Sequence, residues 1–336
     1  MTEFLINAVL LFYLAMLAVA IYRIDNLFAA TMLMSIYSLL CAATFVVMDA
    51  VDVAFTEAAV GAGISTILIL AALSLSGYRE QEKHEFRKGG VQAVVALIVV
   101  CALGVLLAIG FHDIPAFGQQ NTPAYQGVAQ HYINESSREI GVPNIVTSIL
   151  ASYRGYDTLG EVTVIFTAGI TVLALLGYGL EIKTNKKSGD SNVQLNLENF
   201  IVLRVVSRMF IPFILLFALY VQFHGDYGPG GGFQAGVIFT SAIILHILFY
   251  GHQQTQKVIS PQLTCYLMAI GILIFAGTGI VTLLRGGNFL DYDVLVSGNP
   301  ILGQHLGILF IEFGVGVTVA AVMLSMFYSF SKNTKD

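Results

Sequence analysis

The fold class this sequence predicts is an all-α polytopic membrane protein with about nine transmembrane helices, on three observations. The 336 residues are 56% hydrophobic and only 11% charged, with a mean hydropathy of +0.78. That is too apolar for a water-soluble core and surface. Nine runs reach the roughly 20 predominantly apolar residues needed to span a bilayer: 4–22, 27–48, 53–77, 91–111, 160–181, 201–223, 232–250, 263–284 and 305–328. The runs are continuous and do not alternate, which predicts helices and not a barrel.

Charge placement orients them. If the nine helices alternate, Arg23, Arg79, Lys83, Arg87, Lys88, Lys183, Lys186, Lys187, Arg204, Arg208, Lys257, Lys332 and Lys335 fall on one side, and only Arg138, Arg154 and Arg285 fall opposite. The excess of basic residues marks the cytoplasmic face, so the N-terminus is expected outside and the C-terminus inside. The setting that follows is a multi-pass protein with its basic face towards the cytoplasm.

The first run follows Glu3 and has neither a basic flank nor a clear cleavage site, which reads as a retained helix. The third opens on DAVDVAFTEAAVGAGIST, residues 49–66, with Asp49 and Asp52 at its mouth and Glu57 inside it. Glu57 lies some five residues in, about 7–8 Å below the entry at the helical rise. A carboxylate at that depth must be protonated, paired or facing a wet cavity, and each outcome makes it a handler of protons or cations. Gly61 and Ser65 follow at spacings of four, leaving room for a neighbouring helix or water. A packed helix holding one protonated acid against a neighbour is the alternative.

After the charged stretch Tyr78–Gly90, which reads as a solvated cytoplasmic turn, the fourth run leads into a long outer segment, 112–158, with no predicted structure of its own. Its end, NIVTSILASYRGYDTLGEVTVIFTA, carries a second constellation. Asp157 and Glu161 share a helical face, and Arg154 stands three residues before Asp157. Arg154 can neutralise Asp157 at the membrane surface, which leaves Glu161 as the acid entering the apolar run. The same triplet would also serve simply to pin the helix to the interface.

A polar linker, Lys183–Asn199, precedes four further runs. The turn after the first of these reads HGDYGPGGGFQAG. Pro229, Gly230, Gly231, Gly232 and Phe233 would leave bare backbone amides at the start of the next helix, as an anion-attracting nest or for close packing. His224 and Asp226 stand at its rim, where a histidine can shuttle protons. Glu312 is a further intramembrane acid, with His305 two turns before it, and His246 lies deep in the seventh run. For the two histidines a satisfied packing role is favoured.

Cys41, Cys101 and Cys265 lie within apolar runs without motif spacing and read as small core residues. There is no Walker-type loop, CxxC or CxxCH, so ATP hydrolysis and electron carriage within this chain are not expected. A pI near 5.8 without a basic tract argues against nucleic acid.

Three of these stretches resemble known modules. DAVDVAFTEAAVGAGIST is similar to the MbhD segment of Mrp-type antiporters and membrane-bound hydrogenases, whose usual DAPDVA has proline where Val51 stands here. VTSILASYRGYDTLGE resembles the MbhE module. YVQFHGDYGPGGGFQAG, with RMFIPFILLFALY before it and IEFGVGVTVAAVM near the C-terminus, resembles the MnhB/MrpB family. The resemblance implies three modules, MbhD-like (1–89), MbhE-like (90–186) and MnhB/MrpB-like (187–336). It further implies a subunit of a hetero-oligomeric Na+/H+ antiporter in a prokaryotic inner (plasma) membrane, partnered by MrpA-like, MrpC-like, MrpD-like and small subunits, with Na+ and H+ as transported ions and no cofactor. A membrane subunit of a hydrogenase or other complex I-like redox assembly, and a structural scaffold, are the alternatives. The ion-path residues expected are Asp49, Asp52, Glu57, Asp157, Glu161, His224, Asp226 and Glu312. Arg154 and Pro229–Phe233 form the structural motifs around them.

Overall fold

The computed structural model describes residues 2–75, 91–115, 118–176 and 201–332. The charged turn Tyr78–Gly90 and the linker Lys183–Asn199 lie outside the described residues. Among the described residues there is no strand, and nine helices are long and apolar enough to cross a membrane. The chain is a multi-pass membrane protein.

Residues 1–77 with 136–336 make one compact unit, and 78–135 a second. In the first unit, α1 (Thr2–Arg23) turns into α2 (Leu27–Val47), whose start is set by Asn26: its side-chain oxygen accepts from the Ala29 N–H at 2.9 Å. The chain bends after α2 at a turn without proline. Asp49 takes φ 57, a left-handed conformation that aspartate tolerates better than most residues, and α3 (Val51–Glu57) starts from there. The span then runs through a π-helical stretch, Ala58–Ile64, into α4 (Ser65–Leu75). This is a departure from the regular α-helix that the four-residue spacing presupposed. The Ala62 carbonyl accepts from Ser35 Oγ of α2 and from Thr66 Oγ1, so the widened turn is held by side-chain hydroxyls.

The second unit contains α5 (Val91–His112), apolar and exposed from 94 onward, then a π-helical turn, Tyr125–Ala129, and the start of α6 (Gln130–Glu139). Much of segment 112–158 is therefore helical, contrary to expectation. Its helices α6 and α7 (Ile145–Thr147), and the π-helical Ser148–Tyr153, are short or polar, so hydropathy does not register them.

The next span, α8 (Gly155–Leu175), starts five residues before its apolar run, with Asp157 in the first turn where the helix dipole favours a negative charge. The remaining elements of the first unit are α9 (Ile201–His224), α10 (Gly232–Tyr250), the short α11 (His252–Gln256), α12 (Pro261–Leu284) and α13 (Pro300–Lys332). α13 also begins early, at Pro300, because the Asn299 side chain accepts from Leu302 N–H at 3.1 Å and proline suits a first helical turn. Its apolar pattern starts only later.

α10, α12 and α13 form the core. A Cβ on Gly236 would stand 2.7 Å from the Gly316 carbonyl oxygen, and one on Gly314 2.7 Å from that of Gly271. The backbones of α10 and α12 thus pack directly on α13, as small residues permit in lipid. Tyr292, Phe275, Ile308, Ile311 and Val319 are fully buried around these crossings.

Candidate functional site: a glycine turn where three helix groups meet

The turn Gly225–Gly232 folds back on itself because its glycines allow it. Gly230 (φ 155) and Gly231 (φ 136) adopt backbone conformations that side chains rarely take, and a Cβ on Gly225 would be 3.1 Å from Gly231 Cα. The helix N-cap of α10 is Gly231, which has no side chain to receive the first amides. Glu312 of α13 supplies the missing acceptor: its Oε2 takes the Gly232 N–H. A carboxylate at the positive end of a 19-residue helix is doubly favoured, by the hydrogen bond and by the dipole.

Each helix group contributes. From α3, Asp52 Oδ1 lies 3.4 Å from the Gly230 N–H, and Thr56 Oγ1 accepts from Gln234 Nε2 of α10 at 2.7 Å. Before α7, Asn144 donates from Nδ2 to the carbonyls of Gly225 (3.1 Å) and Gly228 (3.0 Å), and its own N–H bonds the Asp226 carbonyl. Thr147 adds a 2.6 Å bond to Gly225 O. The Asn144 side-chain amide also faces the Asp52 carboxylate. From α13, His305 Nδ1 pairs with Asp226 Oδ2 at 3.2 Å.

The acids stand close enough to feel one another. Asp226, Glu161 and Asp52 all lie within electrostatic reach of Glu312, and so does the phenol of Tyr292. Tyr292 donates to the buried Ala151 carbonyl at 3.1 Å. Burial first, and the Glu312 carboxylate second, hold this phenol well above the usual tyrosine range. Among the described residues no three His, Cys, Asp or Glu side chains close into a metal-binding group.

The sequence-derived candidates divide into groups. Glu312, Asp52, Asp226 and Glu161 share the neighbourhood of the turn. Glu161 is exposed on α8 and next to the charge of Asp157, which itself pairs with Arg154. Glu57 faces α2 instead, with Ser38 and Cys41 as neighbours. Asp49 is exposed in its turn. The His224 ring stacks on Tyr220 with centroids 4.8 Å apart, and Phe233 packs on the main core. Pro229 lies exposed at the crest of the turn. His246 accepts or donates to Thr255 Oγ1 at 2.7 Å, the satisfied role expected, whereas His305 proves to be the partner of Asp226. Asn144, Thr147, Gln234 and Tyr292 escaped sequence reasoning. Their partners lie far away in the chain, and only the position of Asn144 before a helix hinted at a cap.

Over 138 residues the chain is 38% identical to the putative antiporter subunit mnhB2 of Staphylococcus aureus (strain Newman), of which it covers 95%. It belongs to the MnhB family. The model described as "Domain related to MnhB subunit of Na+/H+ antiporter" matches residues 202–325 of this MnhB-family chain, and those for MBH subunits D and E match 12–77 and 93–179. A relative from Rhizobium meliloti (strain 1021), the A/B subunit of a probable K(+)/H(+) antiporter, is 26% identical over 295 residues, 82% of this chain. A chain in the structure of the Mrp complex from Dietzia sp. DQ12-45-1b shares the fold over 96% of this one, with a TM-score of 0.75 and 23% identity. The chain spans 29% of the length of the Rhizobium relative and 34% of the Dietzia chain.

Proposed function

We propose that this chain is a membrane subunit of a hetero-oligomeric Mrp-type antiporter that exchanges a monovalent cation, Na+, for protons, and that its intramembrane acids belong to the ion path. The observation that carries this reading is the convergence on one glycine turn of Asp52 from α3, Asn144 from before α7, and Asp226 and Glu312 around α10 and α13. Acids held within the hydrocarbon region stay exchangeable only through water, a partner charge or a cation. Asp52 and Glu312, with Asp226 beside them in the turn, make a relay, with Glu161 on its α8 side and Asp157, paired to Arg154, at the surface. Glu57 sits on a separate branch against α2. The division into an MbhD-like module (1–89), an MbhE-like module (90–186) and an MnhB/MrpB-like module (187–336) is part of the same reading. So are MrpA-like, MrpC-like, MrpD-like and small subunits as partners. In a redox assembly the same helices would couple to electron carriers, and copurifying iron-sulfur proteins would favour that reading instead.

Replacing Glu161 or Glu57 by Gln keeps shape and removes the titration. In everted vesicles carrying the whole complex, each change is expected to lower Na+-driven proton movement by roughly tenfold, with assembly intact. Lys257→Gln, an exposed residue, is expected to do little. Normal rates and pH optima in both acid variants would make these residues structural. The same assay run with K+ tests the cation, since the Rhizobium relative is named for potassium. With the N-terminus outside, an impermeant thiol reagent applied to intact cells should label a cysteine at Gln126 and spare one at Gln254. The reverse pattern overturns the orientation.

A further inference from the structure

Among the described residues, Glu312 is the one acid at the turn that is bonded to the backbone of another transmembrane helix, and the surrounding geometry is built for that bond. Gly231, at the cap position, brings no side chain of its own. A Cβ there would stand 2.8 Å from Glu312 Oε2, and one on Gly232 would land on the Glu312 main-chain carbonyl. The bare amides at the head of α10 are therefore shaped to the carboxylate, not merely close to it. Its ionised form is the stronger acceptor and the one that the helix dipole attracts. A protonated carboxyl loses the charge and turns one oxygen into a donor, so that only a neutral carbonyl oxygen is left to accept the Gly232 N–H, in a weaker bond.

We propose that Glu312 is a proton-controlled latch: ionised, it clamps α13 to the amino end of α10 and fixes the glycine turn; protonated, it lets the turn open. The proposal rests on the ion-path reading for the source of the proton, and it adds what arrival of that proton does. The turn that would open is the same one that Asp52 reaches through Gly230 N–H and that Asn144 holds through Gly225 O and Gly228 O. Release of Glu312 would thus loosen contacts to α3 and to the segment before α7. The titratable groups facing the latch are Glu161 from α8, Asp52 from α3, Asp226 in the turn with its partner His305 from α13, and the Tyr292 phenol before α13. A cation or proton that neutralises one of these acids changes the field in which the latch titrates, which couples the turn to ion occupancy nearby. His224 lies beside Gly228 and is the remaining imidazole at the turn.

The test is hydrogen–deuterium exchange of the Gly228–Phe233 backbone amides in the purified complex, from mildly acidic to mildly alkaline pH, with each rate divided by the intrinsic rate at that pH. In the wild type, protection is expected to be highest where Glu312 is ionised and to fall roughly tenfold as the pH is lowered, in line with loss of a charge-assisted bond. In Glu312→Gln a neutral carbonyl oxygen faces Gly232 at every pH, as in the protonated acid, so protection should stay near the wild type's low-pH level and be independent of pH. Lys257→Gln, an exposed residue between α11 and α12, should keep the wild-type pH profile. A flat profile in the wild type overturns the latch, and so does an unchanged slope in Glu312→Gln. If Glu312→Gln fails to assemble, the wild-type profile alone decides. Transport measured in parallel separates the two ideas. Loss of transport in Glu312→Gln with the pH-dependent protection retained would sink the latch and leave the ion path standing. Loss of the pH dependence with transport unchanged would support the latch and remove Glu312 from the path.

Discussion

Replacing Gly236 by Ala adds one methyl group at the point where α10 lies on α13. That methyl would stand 2.7 Å from the Gly316 carbonyl oxygen, 3.0 Å from Val319 Cβ and 3.2 Å from the Ala320 backbone nitrogen. Two of these three are main-chain atoms in a helix, so no side-chain rotation relieves the clash and the two helices must part. Overpacking of this kind costs about 1–3 kcal/mol. Against it stands the better helix propensity of alanine, about 0.5–1 kcal/mol, leaving a net loss of about 1–2 kcal/mol. Gly277 on α12 provides the internal comparison. Nothing lies within 4 Å of its added Cβ, so Gly277→Ala feels only the propensity term and should gain up to about 1 kcal/mol. Thermal denaturation of the two purified variants, followed by scanning fluorimetry in one detergent, is expected to shift the midpoint down for Gly236→Ala and up or not at all for Gly277→Ala. A Gly236→Ala protein as heat-resistant as Gly277→Ala would refute the backbone-on-backbone crossing.

Asn144→Ala removes two bonds to the turn, at Gly225 O and Gly228 O, along with the cap that its Oδ1 makes to Val146 N–H at 3.0 Å. At about 1 kcal/mol for each, the loss should reach about 2–3 kcal/mol, and the denaturation midpoint of the complex should drop by more than in Lys257→Gln. Equal midpoints would mean that Asn144 does not hold the turn. Tyr292→Phe removes the side-chain donor from the buried Ala151 carbonyl, which should cost about 1 kcal/mol near neutral pH. Because burial raises the phenol's pKa above its unfolded value, the neutral form stabilises the fold. That stability is complete below the ordinary tyrosine range and is lost as the pH rises through and beyond it. Stability curves of wild type and Tyr292→Phe should therefore converge in alkali. Parallel curves would show that Tyr292 contributes no pH dependence.

The spans themselves were legible because lipid imposes a one-dimensional rule: long apolar runs must be helices, and hydropathy sees them without knowing their neighbours. The acids at Glu57, Glu161 and Glu312 were legible for the same reason, as charges in runs that should carry none, and Asp52 as an acid at the mouth of one. The glycine turn was readable as a place with bare amides, since Gly230 and Gly231 in sequence leave the backbone unshielded. The short helices of 112–158 and the early starts of α8 and α13 were not, because their stabilising features are caps and polar first turns that carry no hydropathy.

The sequence alone settles the class of the protein, the number of apolar spans and which acids lie within or at the mouths of those spans, all properties of residues against a solvent. Which acids belong together was decided only by tertiary structure. Glu312 and Gly232 are 80 positions apart, and Asp52 and Gly230 are 178 apart. Glu57, only five residues from Asp52, turns instead to α2. Nothing in local spacing encodes such pairings, since they follow from which glycine faces let α10, α12 and α13 approach and from where that approach leaves an unfilled amide. The sequence placed a charge in the membrane, and the packing of helices chose its partner.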